Sequence, residues 1–350
     1  MAATLIAPEN ADPIADAELL RKACQGKVGT MDGEQMKGLI SVIGHRNAAQ
    51  RRMIKEAYES QYNENLIRRL EKELHGDFER AMCWWMLEPF DREGVFANAA
   101  LKKSDYKVII ELSCIPSAEE QLAFKRAYQA RYKHSLEEHV ASHFTGDFRN
   151  VNLIILTTDQ TDEFATDCFQ HCQNLVRCLK CAIAAAPSVG EYETEETDKN
   201  LAQVEAEILH NCIKDKSYNH DDMIRILTTR SKAQLVTTFY HFKDAYGTPI
   251  TESLASDDDS HFITALQTAI LCIKSPQEYL EMVLSDAIHN HGADKDALTR
   301  VVITRAEKDL GEIKELYCKR HSTTLEEAVA KATSGDYKTF ILTLLGKEDH

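Results

Sequence analysis

Proline and glycine are scarce, at 7 and 14 in 350 residues, so few positions force a helix to stop. No apolar run approaches the roughly 18 residues that a bilayer-spanning helix needs. The amino-terminal stretch MAATLIAPENADP has neither a basic region nor an apolar core, and no signal peptide is read from it. A cytoplasmic, soluble protein is the expectation. Positive charge is also short: 41 Lys and Arg face 56 Asp and Glu, a net charge of −15. That balance excludes nucleic acid as the main partner, because such binding draws its affinity from neutralised phosphates. It equally excludes simple electrostatic attachment to anionic lipid. Any membrane binding needs a divalent cation between two negative surfaces. The ten cysteines do not form a small secreted framework and read as reduced thiols.

What is present is a repeat. Counting from Arg46, the residues 12, 16, 20 and 32 positions on are Tyr58, Tyr62, Leu66 and Phe78. From Pro116 the same steps give Tyr128, Tyr132, Leu136 and Phe148; from Arg230, Phe242, Tyr246, Ile250 and Phe262; from Arg305, Tyr317, His321, Leu325 and Tyr337. Gly76-Asp77 recurs as Gly146-Asp147 and Gly335-Asp336 and is lost only at Ser260-His261. Steps of four place side chains on one helix face. The anchors lie 70, 114 and 75 residues apart. Four helical units follow, with extra sequence between the second and third.

In this register GHRNAAQR (44–51), HGDFER (75–80), ARYKHSLEEHV (130–140), TGDF (145–148), DDMIRILTTRSKAQ (221–234), ALTRVVITRAEKDL (297–310) and SGDYK (334–338) resemble the annexins, and plant annexins above all. The resemblance covers roughly Pro8 to Gly346, apart from about 161–190 and a disturbed patch near 26–37. It implies an all-α fold of four repeats of about five helices each, wound into a curved right-handed superhelical disc with calcium sites on the membrane-facing side. The expected organisation is a tail at 1–15, repeats at 16–87 and 88–157, a Cys-rich and acidic insertion and linker at 158–198, and repeats at 199–274 and 275–346.

The resemblance also implies where calcium sits. In repeat one, Gly26-Lys27-Val28-Gly29-Thr30 occupies the place of a Gly-x-Gly-Thr loop, lengthened by one residue. Cys24, Gly26, Gly29 and Thr30 would supply oxygens from the loop, with Glu73 as the distant carboxylate. Calcium takes six to eight oxygens, and glycines let a short loop turn carbonyls inward. Asp32 and Glu34, within an apparently lengthened Met31–Lys37, are further candidate oxygens. The competing reading is an ordinary Gly-containing turn beside a surface Glu. In repeat four, Ile288, Asn290 and Gly292 hold the loop positions, but the acidic position is Ala332. That site is vacant, weak, or completed by lipid, water or the Thr333 carbonyl. Repeats two and three have no such loop, with His143 and Asp257 at the acidic position.

Other constellations carry less. His134, His139 and His143 include an H-x3-H pair without an obvious third ligand. Cys168, Cys172, Cys178 and Cys181, with His171, suit zinc by count, yet an amphipathic or unstructured insertion is preferred. Cys114 and Cys272 match two cysteines of plant annexins and read as buried filler. Trp84 and Trp85 read as core. The mixed-charge residues of 48–74, from Arg51 to Glu73, read as a solvated face. Ile224-Arg225-Ile226 resembles a proposed actin-binding tripeptide, with packed Ile as the default. His45 and the Asp91–Gly94 D-x-x-G match do not make an enzyme.

The function expected is calcium-dependent, peripheral binding to anionic phospholipid, with Ca2+ as the cofactor and attachment from the cytoplasm when calcium rises. The alternative is a calcium-independent annexin scaffold working on actin, another cytoskeletal protein or other protein partners.

Overall fold

The computed structural model describes residues 2–25, 31–144, 197–218, 220–254, 261–289 and 293–347. Phe148, Asp257 and the Cys-rich and acidic stretch at 158–196 lie outside them. All regular structure among the described residues is helical. Repeat one contains α1 (Pro13–Ala23), α2 (Gly33–Ile43), α3 (Ala48–Tyr62), α4 (Leu66–Glu73) and α5 (Gly76–Met86). Repeat two follows with α6 (Pro89–Lys103), α7 (Tyr106–Cys114), α8 (Ala118–Tyr132) and α9 (Leu136–His143). Repeat three has α10 (Lys199–Lys214), α11 (Asp221–Thr229), α12 (Lys232–Tyr246), α13 (Ile250–Ser253) and α14 (His261–Lys274). Repeat four has α15 (Pro276–His289), α16 (Lys295–Arg305), α17 (Leu310–His321), α18 (Leu325–Ala332) and α19 (Gly335–Leu344).

The sequence register is a packing register. Tyr58, Tyr128, Phe242 and Tyr317 are each fully buried in the third helix of a repeat, and Leu66, Leu136, Ile250 and Leu325 open the fourth. Burying each such side chain contributes about 1.5–3 kcal/mol. The next aromatic, four residues on, packs against the first in all four repeats: Tyr58 on Tyr62 at 4.9 Å, Tyr128 on Tyr132 at 4.8 Å, Phe242 on Tyr246 at 5.1 Å, Tyr317 on His321 at 4.4 Å between centroids. The first helix of three repeats adds a cation or a ring: Arg21 over Tyr62, His210 stacked on Tyr246 and His289 on His321. The anchor arginines are ion-paired, Arg46 to Asp16, Arg230 to Glu205 and Arg305 to Asp309.

Turns repeat as well. Asn47, Ser117 and Ser231 each accept from the amide three residues on and start the third helix. The same helix ends in all four repeats on a left-handed residue: Asn63, Lys133, Gly247 and Ser322. Only one of these is glycine, so three repeats hold an L-residue where it costs roughly 1–2 kcal/mol. The recurrent Gly-Asp has the same cause, since Gly76 and Gly335 both sit at positive φ as the first residue of the fifth helix.

The described chain forms two compact units. One comprises residues 1–92 and 277–350, that is, repeats one and four with the amino-terminal segment. Within it α5 packs on α16 and α19. Phe78 meets Phe340 edge-on, and Lys295 pairs with Asp77. The amides of Thr4 and Leu5 donate to the Ala306 carbonyl, and Thr4 Oγ1 donates to the Leu344 carbonyl at 2.6 Å. Trp85 is fully buried and Trp84 half-buried, and Trp85 Nε1 donates to the Ile43 carbonyl. The second unit, residues 93–276, packs α7 on α14, which buries Cys114 and Cys272. Its third-repeat core gathers Leu209, Met223, Ile226, Phe239, Phe242 and Ile263.

Several expectations are corrected. Arg51 and Glu73 are not solvated but buried, 1% and 2% exposed. Arg51 lies 3.5 Å over the Trp85 ring and pairs with Glu307 at 3.0 Å, which also accepts from the Ala48 amide. Burial lowers the Arg51 pKa, against the pull of Glu307. The lengthened stretch before α2 is absent, because Asp32 caps a helix already begun at Gly33. Asp91–Gly94 lies inside α6. In Ile224-Arg225-Ile226, Ile226 is buried and Arg225 pairs with Asp222.

Two outcomes follow in chemical denaturation. Gly247→Ala is expected to destabilise by about 1–2 kcal/mol, while Ser322→Gly is neutral or stabilising. Glu307→Ala strands the Arg51 charge and is expected to cost about 3 kcal/mol, the low end for a broken buried pair because Glu307 is 23% exposed. Arg51→Met in the Glu307→Ala background should restore part of that loss.

Candidate metal centre

The residues of repeat one that meet are at the ends of two helices. Cys24 is the C-cap of α1, and Glu73 is the last residue of α4. Each helix end carries partial negative charge from its unshared carbonyls. The Cys24 carbonyl and Glu73 Oε1 both contact one nitrogen, Arg69 Nη2, at 2.5 and 2.7 Å. Two oxygens of different helices therefore converge on a single cation position. A carbonyl and a carboxylate oxygen are the kinds of donor that calcium prefers, so the pair fits it in chemistry. Gly26, Gly29 and Thr30 lie outside the described residues. Glu64, just before α4, pairs with Arg21 at 2.6 Å and lies 3.7 Å from Arg69 Nη1.

Asp32 is not available in the way the sequence suggested. Its Oδ1 accepts from the Glu34 and Gln35 amides at 3.0 and 2.9 Å, and Gln35 returns a bond to the Asp32 amide. Gln35 Nε2 also donates to the Gln25 carbonyl, tying the start of α2 to the end of α1. Glu34 is exposed in the first turn. The Cys24 thiol itself is pushed up to about 11 by burial and by Glu73. It stays protonated at neutral pH, so from Cys24 only the carbonyl serves as a donor.

Repeat four keeps the helix ends and lacks the acid. Ile288 is the penultimate residue of α15, and Thr333 is the C-cap of α18 after Ala332. Thr333 Oγ1 donates back to the Val329 carbonyl at 2.6 Å. Asn290 and Gly292 lie outside the described residues. In repeat two, His143 Nδ1 lies 2.8 Å from the His139 carbonyl, and His139 Nδ1 lies 2.7 Å from the Tyr128 hydroxyl. Among the described residues no group of three or more His, Cys, Asp and Glu is arranged to hold a metal. His45 Nδ1 lies 3.0 Å from the Ser41 carbonyl at the end of α2.

The Annexin family model matches residues 15–85, 97–155, 204–269 and 279–344, one match for each repeat. This chain belongs to the annexin family. The annexin-like protein RJ4 of Fragaria ananassa is 48% identical over 349 residues, covering 99% of this annexin and all of that protein. Annexin D7 of Arabidopsis thaliana is 41% identical, covering 97% and 96% of the two chains. Among solved structures, annexin III aligns with a TM-score of 0.82 at 26% identity over 100% and 98% of the chains. Calcium-bound annexin (Sm)1 aligns at 0.76 with 21% identity over 100% and 94%, a likeness of fold.

Sequence reasoning missed Arg69 in this annexin. Its spacing to Glu73, four residues on one helix, is the pattern of a surface ion pair, and only the end of α1 turns it into a buried contact. Thiol chemistry reports that burial. Cys83 is pushed up to about 12, mainly by burial, and Cys24 to about 11, while Cys318 is exposed. Alkylation of the native protein at pH 8, read residue by residue by mass spectrometry, is expected to label Cys318 well before Cys24 and Cys83. Denaturant should remove the difference.

Proposed function

We propose that this annexin attaches peripherally to anionic phospholipid surfaces in a calcium-dependent way, with repeat one as its principal cation site. The observation that carries the reading is the convergence of the Cys24 carbonyl and the Glu73 carboxylate at two helix C-termini. Family membership supports it, and so does the net charge of −15, which opposes direct contact with a negative surface. Glu73 would provide the charge of the site, and Cys24, Gly26 and Gly29 its carbonyls. Calcium, when bound there, would offer its open positions to lipid phosphate or carboxylate oxygens. Burial of Glu73 fixes its direction, so little side-chain freedom is lost on binding. Repeat four, with Ile288, Asn290, Gly292 and Thr333 but no acid, would add a weaker contact on the same scaffold by avidity. Among the described residues no helix is long and apolar enough to cross a membrane, which accords with a peripheral mode.

The test is co-sedimentation with phosphatidylserine vesicles across a calcium titration, with a chelator control at equal ionic strength. The wild-type chain is expected to pellet with calcium and to leave on chelation. Glu73→Gln should need roughly tenfold more calcium, since one ligand charge is lost. Sedimentation that ignores calcium overturns the proposal and favours a scaffold for protein partners. An unchanged calcium requirement in Glu73→Gln removes repeat one as the site.

A further inference from the structure

We propose that Arg69 is a built-in cation that holds the repeat-one site when calcium is absent, and that its displacement sets how much calcium the site requires. The inference rests on the repeat-one site proposed above. One guanidinium nitrogen donates to the Cys24 carbonyl at 2.5 Å and ion-pairs with Glu73 Oε1 at 2.7 Å. These are the two described oxygens of the site. A divalent ion and this guanidinium therefore compete for the same donors.

The arrangement has a reason on each side. Glu73 is a carboxylate only 2% exposed at the negative end of a helix, a place where a positive charge nearby is stabilising compensation. Arg69 supplies that compensation from one turn earlier on the same helix. Its planar fork presents several donors at once, so it can reach the α1 carbonyl and the α4 carboxylate together. A place to retreat is also built in. Glu64 Oε1 stands 3.7 Å from Arg69 Nη1, and Glu64 is 27% exposed. A guanidinium leaving Glu73 moves toward Glu64, where solvent screens its charge from the arriving ion. Arg21, on the other Glu64 oxygen at 2.6 Å, keeps that carboxylate in place.

The arrangement belongs to repeat one alone. The positions that match Arg69 and Glu73 are His139 and His143 in repeat two, Ser253 and Asp257 in repeat three, and Ala328 and Ala332 in repeat four. The acid and its internal cation occur together only in repeat one. Arg69 thus sets the threshold of the site as well as stabilising the empty state.

The experiment uses the full chain without lipid. Calcium affinity is read by isothermal titration calorimetry, and melting temperature is read in chelator and in millimolar calcium. Arg69→Gln keeps a donor for the Cys24 carbonyl but removes the charge. It is expected to bind calcium roughly tenfold more tightly, the order expected from removing one competing charge at contact distance. It should melt lower than wild type in chelator and regain the loss in calcium, giving a larger calcium-induced shift. Arg69→Lys, which retains a compact charge, should fall between the two and serves if Arg69→Gln does not fold. Equal affinity and equal calcium-induced shifts in wild type, Arg69→Gln and Arg69→Lys, with Glu73→Gln still losing a binding event, would overturn the role of Arg69 and leave the site intact. An isotherm that Glu73→Gln does not change would overturn the site itself, and this inference with it.

Discussion

A repeat of this size cannot close a core with helices that touch only end to end, and the contact that solves the problem is the aromatic in the third helix. Tyr58, Tyr128, Phe242 and Tyr317 occupy one place four times, fully buried. Around each lie a second aromatic one turn on and the leucine or isoleucine that opens the fourth helix. Everything else in the repeat is aimed by that contact. The left-handed residue after the third helix turns the chain back so that the fourth helix lies against the same ring. The fourth helix then ends where the first helix ends, and the oxygens of the candidate site are left facing one another.

Under the proposed function, that geometry is the reason a cation would be favoured there. Two helices stopping at one point leave several carbonyls without partners and bring two negative dipole ends together. Repeat one adds Glu73 and answers it with Arg69. Repeat four keeps the helix ends, replaces the acid with Ala332, and lets Thr333 satisfy one carbonyl of its own helix. The two repeats keep helix ends at matching positions and differ in charge, Glu73 in one and Ala332 in the other.

How much of this could be read from the sequence depended on the range of the interaction. The aromatic register was legible because it repeats; the Asn and Ser caps, which act within three residues, recur in the same register but went unread. Gly76-Asp77 was legible as a motif before its positive φ explained it. Asp32 illustrates a signal that went unread: Asp32-x-x-Gln35 is a capping box, and its Oδ1 caps α2. Arg51 was not legible, because its burial depends on Glu307, 256 residues away. Arg69 failed for the same reason at shorter range. Its spacing to Glu73 is that of any surface pair, and only the Cys24 carbonyl, 45 residues earlier, makes the pair a buried one. The Gly26–Thr30 loop lies outside the described residues.

The amino-terminal hydrogen bonds bear on the timing of synthesis. Thr4 reaches Leu344, 340 positions on, and the unit that holds repeat one also holds everything from Gln277 to the end. The ribosome releases the first repeat long before its partners exist. At roughly 5–20 residues per second, repeat one waits many seconds with the faces meant for α16 and α19 exposed, and Arg51 waits for Glu307. The middle unit, continuous in sequence from Glu93 to Pro276, waits less, because α7 meets its partner as soon as α14 is made. The last-made helices are the ones that complete the first-made repeat.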